Sequence, residues 1–530
     1  MNTLNNNDFN ILDLPDEILL AILNKLNTTD VFHSLVDVNQ QFDRLTLDYL
    51  HVRNIDMTDT MTINSLYDQT SSIDTKILSK ICEKVLPRIH HQVYKLTIEQ
   101  YSMQHIILAA NYPQLYSLSL TNFQEEILYQ SLTDDLILRD LLTKQITHLN
   151  IDIKKPTQHC SITVSKSFEL ILCLCKKLIV LNFCDMFPTR TYETPMFYLL
   201  STTHMSSTLI KLKINVASLV DCLCLLDGRL EFLSTLIINI GQIFDPILDI
   251  GSRKKLPKLK YLSLTAPSFT CCYDTQIVPL LCRMINLEEL KLYLSVARFD
   301  STYVDGIQLY DQFLICMTHL KKFTFCINTE VFNDKVRVEF PSNEDIQRSF
   351  IGRGYQQVTS YVRTNLMKTE GYCFLYSVPY DFEDFVQLNN SYQGGKFQAV
   401  RQLTMHDKIP FEHKLFKLIS EDFPFLRFLY LSNRHPQQDK QHSSTLITFP
   451  YLTSLYLQYA HVDYVELFLL KNNAHLPRLL NLRIEYESLT TITNNFTNNV
   501  TYFNFDRLRS LDVCQAFVRP ENFHQYFPLL

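Results

Sequence analysis

The chain has 530 residues, of which 46% are hydrophobic and 20% are charged, and its formal net charge is -6. This hydrophobic content excludes wholesale disorder, and an acidic balance without long charge runs is unlike the basic footprint of a nucleic-acid-binding protein. The length suits roughly two to four ordinary domains or one long repeat array.

No membrane span or secretory signal is predicted. The longest mainly apolar segment, residues 219–240, is interrupted by charged side chains, so no run reaches the ~18 apolar residues of a membrane-spanning helix. The Asn-rich start of the chain lacks the basic residues that open a signal peptide. We therefore expect a cytoplasmic or nuclear protein with neither a membrane nor a nucleic-acid partner.

Residues 14–45 predict a small unit of short helices. Pro15 suits the first helical position because it lacks an N–H, and Asp13 can cap that end. A second helix start follows at residues 28–30. A unit of this size buries too little apolar surface to be stable alone, so we expect it to have a partner. Its apolar stripes contain Ile18, Leu19, Ile22, Leu23, Leu26, Val31, Leu35, Val38 and Phe42.

This stretch resembles an F-box, the module by which substrate receptors dock on the Skp adaptor of cullin-type ubiquitin ligases. The likeness covers under a tenth of the chain and departs from the family at Phe42, where F-boxes usually carry Trp. The matching pattern is Leu14-Pro15-x-Glu17-Ile18-Leu19, Ile22-Leu23-x-x-Leu26, Asp30-Val31 and Ser34-Leu35-x-x-Val38.

The resemblance implies a three-helix domain over residues 8–50 that binds a Skp-type adaptor and, through it, a cullin. Sequence alone does not separate the side chains that hold this unit together from those that dock. The alternative is an ordinary helical cap on a larger domain. The implied adaptor-binding residues are Leu14, Pro15, Glu17, Ile18, Leu19, Ile22, Leu23, Val31, Leu35 and Val38.

Beyond residue 90 a second pattern recurs, apolar-x-x-apolar-x-apolar. Its last five copies start 26 to 29 residues apart, a spacing at which each unit holds one strand and one helix. The copies start at Leu115, Leu178, Leu209, Leu233, Leu259, Leu287, Leu320, Val400, Leu426, Leu452, Leu479 and Leu508, with weaker copies at Val93 and Ile146.

The repeat predicts an α/β fold of short parallel strands with helices between them. It resembles the leucine-rich repeats that accompany F-boxes, which implies an irregular solenoid with strands on the concave face and helices on the convex face. The usual Asn or Cys after the last strand leucine is mostly absent, and Asn122 and Asn433 lie one residue early. The alternatives are a chance abundance of leucine or an α/β domain with a flat sheet.

The domain prediction has three parts. Residues 8–50 form the F-box-like domain, residues 51–90 form a helical linker or first cap, and residues 91–530 form the repeat region. Residues 326–399 carry no clear copy of the repeat but hold five of the nine glycines. They are expected to contain an insertion loop or two degenerate repeats, one of them at Cys373 to Tyr380.

No catalytic, cofactor-binding or metal-binding residues are predicted. The chain lacks the glycine-rich phosphate-binding motifs, H-E-x-x-H and G-x-S-x-G. Its 14 cysteines include close pairs but no C-x-x-C spacing, so they are expected to be thiols in apolar surroundings.

Binding is expected on the outward positions of the predicted strands, which alternate with the inward leucines. Register should place Tyr430, Tyr456 and Arg483 side by side, with Asp512 next and Phe428 beside them. Tyr and Arg dominate binding hot spots, which makes these five residues candidates for holding an unknown protein substrate. The alternative is that the two tyrosines only pack against each other, and the sequence leaves both interpretations open.

Together these patterns predict a non-enzymatic substrate receptor of a ubiquitin ligase. The alternative function is a leucine-rich-repeat scaffold or inhibitor whose N-terminal helices only cap the repeat array.

Overall fold

The computed structural model describes residues 11–47, 53–58, 73–154, 162–184, 194–195, 206–244, 255–333, 338–365, 369–439, 446–515 and 517–530. Within these ranges the chain is a mixed α/β protein rich in parallel strands. It forms two compact units. The first contains the described residues up to Thr265 together with 283–288, and the second contains residues 266–282 and 289–530.

The first unit opens with three short helices and continues into parallel strands paired in chain order. Its helices are α1 (Asp16–Leu23), α2 (Thr28–Leu35), α3 (Gln40–Thr46), α4 (Thr75–Lys80), α5 (Leu86–Ile89), α6 (Met103–Ala109), α7 (Glu125–Asp134), α8 (Leu136–Lys144), α9 (Ile162–Leu174) and α10 (Leu219–Leu225). Its strands are β1 (Asn54–Met57), β2 (Lys95–Glu99), β3 (Ser117–Phe123), β4 (His148–Ile153), β5 (Val180–Phe183), β6 (Lys211–Ser218), β7 (Thr235–Gln242) and the first half of β8 (Tyr261–Thr270), whose residues from 266 onward belong to the second unit.

The second unit contains a group of four strands followed by a six-stranded parallel sheet. Its helices are α11 (Val278–Leu281), α12 (Gly306–Gln312), α13 (Asn343–Arg348), α14 (His413–Asp422), α15 (Val462–Leu469), α16 (Tyr486–Thr493) and α17 (Phe523–Tyr526). Its strands are β9 (Glu289–Phe299), β10 (Lys322–Phe332), β11 (Val358–Thr364), β12 (Glu370–Ser377), β13 (Asp384–Leu388), β14 (Gln402–His406), β15 (Phe428–Asn433), β16 (Ile447–Thr448), β17 (Ser454–Ala460), β18 (Ala474–His475), β19 (Asn481–Ile484) and β20 (Ser510–Val513).

Every copy of the repeated apolar pattern becomes a strand that begins two residues after the first apolar residue of the copy. The central apolar residues of neighbouring copies then align in register. Leu429 pairs with Leu403 on one side and with Leu455 on the other. All three are fully buried, and Phe416 and Ile419 of α14 belong to the same core. Side chains alternate between the two faces along a strand, so the residue between the last two apolar residues of each copy faces outward.

The linker prediction for residues 51–90 is partly wrong. The predicted helix is present as α4, a π-helical turn at Ile81–Val85 and α5. However, β1 precedes it and pairs in parallel with β2. The sequence carries the signal for this strand, because Val52-x-x-Ile55-x-Met57 is another copy of the apolar pattern.

The degenerate repeat expected at Cys373 to Tyr380 is wrong, and residues 358–364 and 370–377 form strands rather than an insertion loop. Strand β10 continues to Phe332, and β11 and β12 form an antiparallel pair, with β12 also antiparallel to β10. Residues 373–377 therefore lie on an antiparallel strand and not in a degenerate parallel repeat. The runs 358–364 and 370–377 are rich in Tyr, Val and Thr, which is the strand signal that marks a hairpin.

The six-stranded sheet begins at β13, in a position where the sequence shows only half of the repeat. Phe382-x-x-Phe385 matches its opening, but one extra residue separates Phe385 from Leu388. The structure accommodates this residue as a register shift between them, with Gln387 at a φ of 63°. The six strands lie in the order β13-β14-β15-β17-β19-β20 and are parallel.

Asparagines near the strand ends link neighbouring segments of the chain, among them Asn433, which the sequence analysis named, and Asn215, both of which are buried. Asn433 donates from Nδ2 to the Ile409 carbonyl at 2.7 Å, and its own carbonyl accepts from the His461 N–H at 2.8 Å. In the first unit Asn239 donates to Asn215 at 2.6 Å. These bonds satisfy backbone and side-chain groups that burial would otherwise leave without water.

Among the described residues, no helix combines the length and the apolar character needed to cross a membrane.

Candidate functional site

The N-terminal helices enclose a small core of their own. Leu19 and Leu23 of α1 are buried against Val31 and Leu45. Leu14 and Leu35 pack partly against this cluster. These residues hold the unit together, which separates them from the rest of the predicted adaptor-binding set.

The other large apolar residues of this set face solvent. The exposed fraction is 48% for Ile18, 39% for Ile22 and 59% for Val38. Leu26, after the end of α1, is also exposed. Pro15 and Glu17 at the start of α1 are exposed as well. We call Ile18, Ile22 and Leu26 the outer face of α1, since they recur at the four-residue spacing of one helical stripe.

The caps of these helices differ in part from the sequence prediction. Pro15 occupies the N-cap position, α1 begins at Asp16, and no side chain caps this end. Asp16 instead ties α1 to α3 by accepting from Gln41 Nε2 at 3.1 Å and from Arg44. Phe42 is half-buried on α3.

The opposite side of the helical unit packs on the strand that follows it. Phe32 and Val36 are buried, and α2 contacts β1 and the helical turn after α4. Arg88 donates to Asp37 and Asp43, both at 3.2 Å. The unit therefore has one side joined to the repeat strands and one apolar side, on α1, that is left open.

A second candidate surface runs across the outward side of the six-stranded sheet. The register aligns Thr404, Tyr430, Tyr456, Arg483 and Asp512 on five neighbouring strands. The structure thus brings together four of the five predicted substrate-binding residues. Phe428 lies in the adjacent row, where it aligns with Ser454 and not with the tyrosines.

The members of this row, which we call the outer row, also contact each other. The Tyr430 and Tyr456 ring centroids lie 6.4 Å apart, and Arg483 Nε lies 3.0 Å from Asp512 Oδ2. Burial raises the pKa of Tyr456 to about 12, so its hydroxyl stays protonated at neutral pH. The rings pack on each other and remain half-exposed, which leaves both the structural and the binding interpretation open to experiment.

A cavity that the sequence did not indicate lies where the antiparallel strands meet the start of the six-stranded sheet. It measures about 190 Å³ and is lined by polar residues, among them Glu330, Arg363, Tyr372 and Asn389. Burial acts to raise the pKa of Glu330, with the charge of Lys408 opposing it. No spacing motif marks this cavity, because its walls come from β10 to β14 and the loops after β13 and β14, which are spread over residues 330–408 of the chain.

Asp407 forms one wall of this cavity, and its side chain is only 2% exposed. Arg363 Nη1 lies 2.8 Å from both carboxylate oxygens, and Asn390 donates through N and Nδ2 at 2.9 and 3.0 Å. The N–H groups of Lys408 and Ile409 donate as well. Asp407 thereby joins β11 to the loops after β13 and β14.

We expect this carboxylate to make stability depend on pH. Burial acts to raise the pKa of Asp407, but the hydrogen bonds from Arg363, Asn390 and Ile409 and the charge of Arg363 together hold it below its usual value. Its contribution is therefore complete above the unfolded pKa of about 3.9 and is lost as the pH falls through the folded value. Denaturant unfolding of wild type and Asp407→Asn from pH 6 downward should show their difference shrinking on acidification, and a constant difference would contradict this assignment.

The described residues contain no group of three or more His, Cys, Asp or Glu side chains arranged to hold a metal ion. The cysteines in the described ranges are thiols and not disulfides. No protein-family model matches the chain, and no curated protein matches it significantly. Its function is therefore inferred from its surfaces.

Proposed function

We propose that this chain is an F-box-type substrate receptor. In this proposal the N-terminal helices dock on a Skp-type adaptor, which links the chain to a cullin, and the strand–helix repeats form a solenoid that presents a bound protein for ubiquitination. The receptor supplies proximity and performs no chemistry itself.

The outer face of α1 carries this proposal. The small core of the unit is already filled by Leu19, Leu23, Val31 and Leu45, so the outer face does not hold the helices together. Exposed apolar residues that lie together on one stripe mark interaction surfaces, whereas single exposed residues are ordinary. Two of the three residues on that stripe, Ile18 and Ile22, are among those that the F-box resemblance assigns to the adaptor.

The outer row supports the second half of the proposal. Tyr430, Tyr456 and Arg483 offer contact area and polar groups on a rigid sheet, a combination that is frequent at hot spots. Arg483 is held by Asp512, so its guanidinium is already oriented before a partner arrives.

A non-enzymatic repeat scaffold or inhibitor is the second candidate. The packing of α2 on β1, with Phe32 and Val36 buried, favours a capping role for the helical unit. A cap accounts for that side of the unit. It gives no role to the outer face of α1, which is why we rank it second.

We expect Ile18→Asp/Ile22→Asp to weaken binding to a recombinant Skp adaptor at least about tenfold, because two charges would replace the apolar contact. Both residues are exposed, so the helical content measured by circular dichroism should not change. The readout is a pull-down of the full chain followed by a titration.

A matched control is Leu136→Asp/Ile137→Asp at the start of α8, where two exposed apolar residues are changed in the same way. This control should bind the adaptor like wild type. No binding by a folded wild-type chain, or equal binding by the Ile18→Asp/Ile22→Asp variant, would refute the receptor proposal and favour the scaffold.

A further inference from the structure

Arginines are concentrated at the amino-terminal edge of the six-stranded sheet. Because the strands are parallel, the residues that precede each strand meet at one edge. Three of the five strands that follow β13 have an arginine directly before them, and two have one three residues before their first residue. We call this set the arginine edge, and it consists of Arg401, Arg427, Arg478, Arg507 and Arg509.

Two exposed aromatic rings join members of this edge. The Arg401 Cζ lies 5.2 Å from the centre of the Phe425 ring, and the Arg478 Cζ lies 4.8 Å from the centre of the Tyr451 ring. The two rings are 5.5 Å apart. They are 40% and 36% exposed, respectively. The result is a continuous row of contacts from arginine through phenylalanine and tyrosine to arginine at the surface, with the two rings tilted by 48° to each other.

Three of the five arginines of this edge have no carboxylate partner within the described residues. Arg427, Arg478 and Arg507 form no ion pair there, and the first of these is exposed with no aromatic partner. Glu383, which directly precedes β13, is the one acid at the corresponding position of this edge, and two other nearby acids are engaged elsewhere. Asp506 pairs with Lys471 at 2.6 Å, and Asp422 accepts from the Tyr392 hydroxyl at 2.7 Å.

We propose that the arginine edge binds an acidic segment of a partner protein. A chain with a net charge of -6 that concentrates arginines on one edge offers a local complement to carboxylates. Guanidinium groups match carboxylates with paired hydrogen bonds, and stacking on Phe425 and Tyr451 limits the motion of two of them. This inference does not depend on adaptor docking.

The geometry favours an acidic peptide over a nucleic acid. Single-stranded nucleic acids bind through bases stacked on open aromatic faces. Here Phe425 and Tyr451 already contact each other and an arginine each. Five neighbouring strands at about 4.8 Å span ~19 Å, which an extended peptide of roughly six residues covers.

The test is fluorescence anisotropy of a labelled oligo-glutamate peptide with the full chain. Arg427→Glu/Arg478→Glu should weaken binding at least about tenfold, because it reverses two charges in the contact. The matched control Lys414→Glu/Lys417→Glu makes the same charge change on exposed positions of α14. The control should stay within about twofold of wild type, since the affected charges lie off the edge.

A variant that keeps every arginine tests whether the aromatic rings beside the arginines contribute to peptide binding in addition to the positive charge. Tyr451→Ala removes the ring under Arg478 and should weaken peptide binding by about two- to fivefold, the effect of one exposed cation–π contact. Adaptor pull-downs with the same variants should be unchanged, so a failure here is distinguishable from a failure of the receptor proposal.

Two results would overturn the inference. One is oligo-glutamate binding to Arg427→Glu/Arg478→Glu as tightly as to wild type. The other is tighter binding of a single-stranded oligonucleotide of equal charge, which would identify the edge as a nucleic-acid surface.

Discussion

Replacing Asp407 with alanine is expected to lower the free energy of unfolding by about 3–5 kcal/mol, the cost of breaking a buried ion pair by removing one partner. The carboxylate accepts hydrogen bonds from Arg363, from Asn390 and from the N–H groups of Lys408 and Ile409. Alanine leaves these donors without their acceptor and the Arg363 guanidinium without its carboxylate partner. The loss would be measured by denaturant unfolding at neutral pH.

Two control variants show how much of this loss comes from the buried carboxylate. Asp407→Asn keeps one acceptor oxygen at nearly the same size, so its loss should be smaller, about 1–3 kcal/mol. Asp512→Ala breaks the more exposed pair with Arg483 and should cost at most about 1 kcal/mol. If Asp407→Ala and Asp512→Ala were equally mild, Asp407 would not join β11 to the following loops in solution.

Leu455→Ala is expected to cost about 2–5 kcal/mol, the range for a leucine truncated in a packed core. Leu455 is fully buried on β17, between Leu429 and Leu482 of the neighbouring strands. Its removal opens a gap between three successive strands that cannot close without moving their helices. Thermal and denaturant unfolding of the full chain would measure the loss.

The matching control is Thr404→Ala on the outward side of β14. Thr404 is half-exposed in the outer row, so its truncation should change the free energy of unfolding by no more than about 0.5 kcal/mol. Comparable losses from Leu455→Ala and Thr404→Ala would mean that the two faces of the sheet are equally packed, contrary to the structure.

The repeat strands could be predicted from sequence because their signal is local. Six residues set the pattern, and each copy fixes where its strand begins. The segment between β10 and β13 could not be predicted in the same way, since the antiparallel pairing of Cys326 with Tyr376 joins residues far apart in the chain. At β13 one extra residue before Leu388 interrupts the repeat pattern, so this copy was not recognised in the sequence. The structure accommodates the extra residue by a register shift.

The sequence predicted more of the outer row than of the outer face of α1. Strand register follows from the spacing of leucines, so the alignment of Tyr430 with Tyr456 and Arg483 could be derived before the structure. The division of α1 into Leu19, which is buried, and Ile18, which is exposed, could not. A short amphipathic helix with two apolar stripes gives no sign of which stripe its own unit covers.

The alternation along each strand has an evolutionary consequence. The aligned central residues of the copies, of which Leu403, Leu429 and Leu455 are examples, meet large apolar neighbours on the adjoining strands. A duplicated strand–helix segment would therefore find compatible contacts on both sides. Substitutions at outward positions such as Thr404 and Tyr430 leave that column intact. Descendants of such a chain are thus free to exchange partners while inheriting one fold.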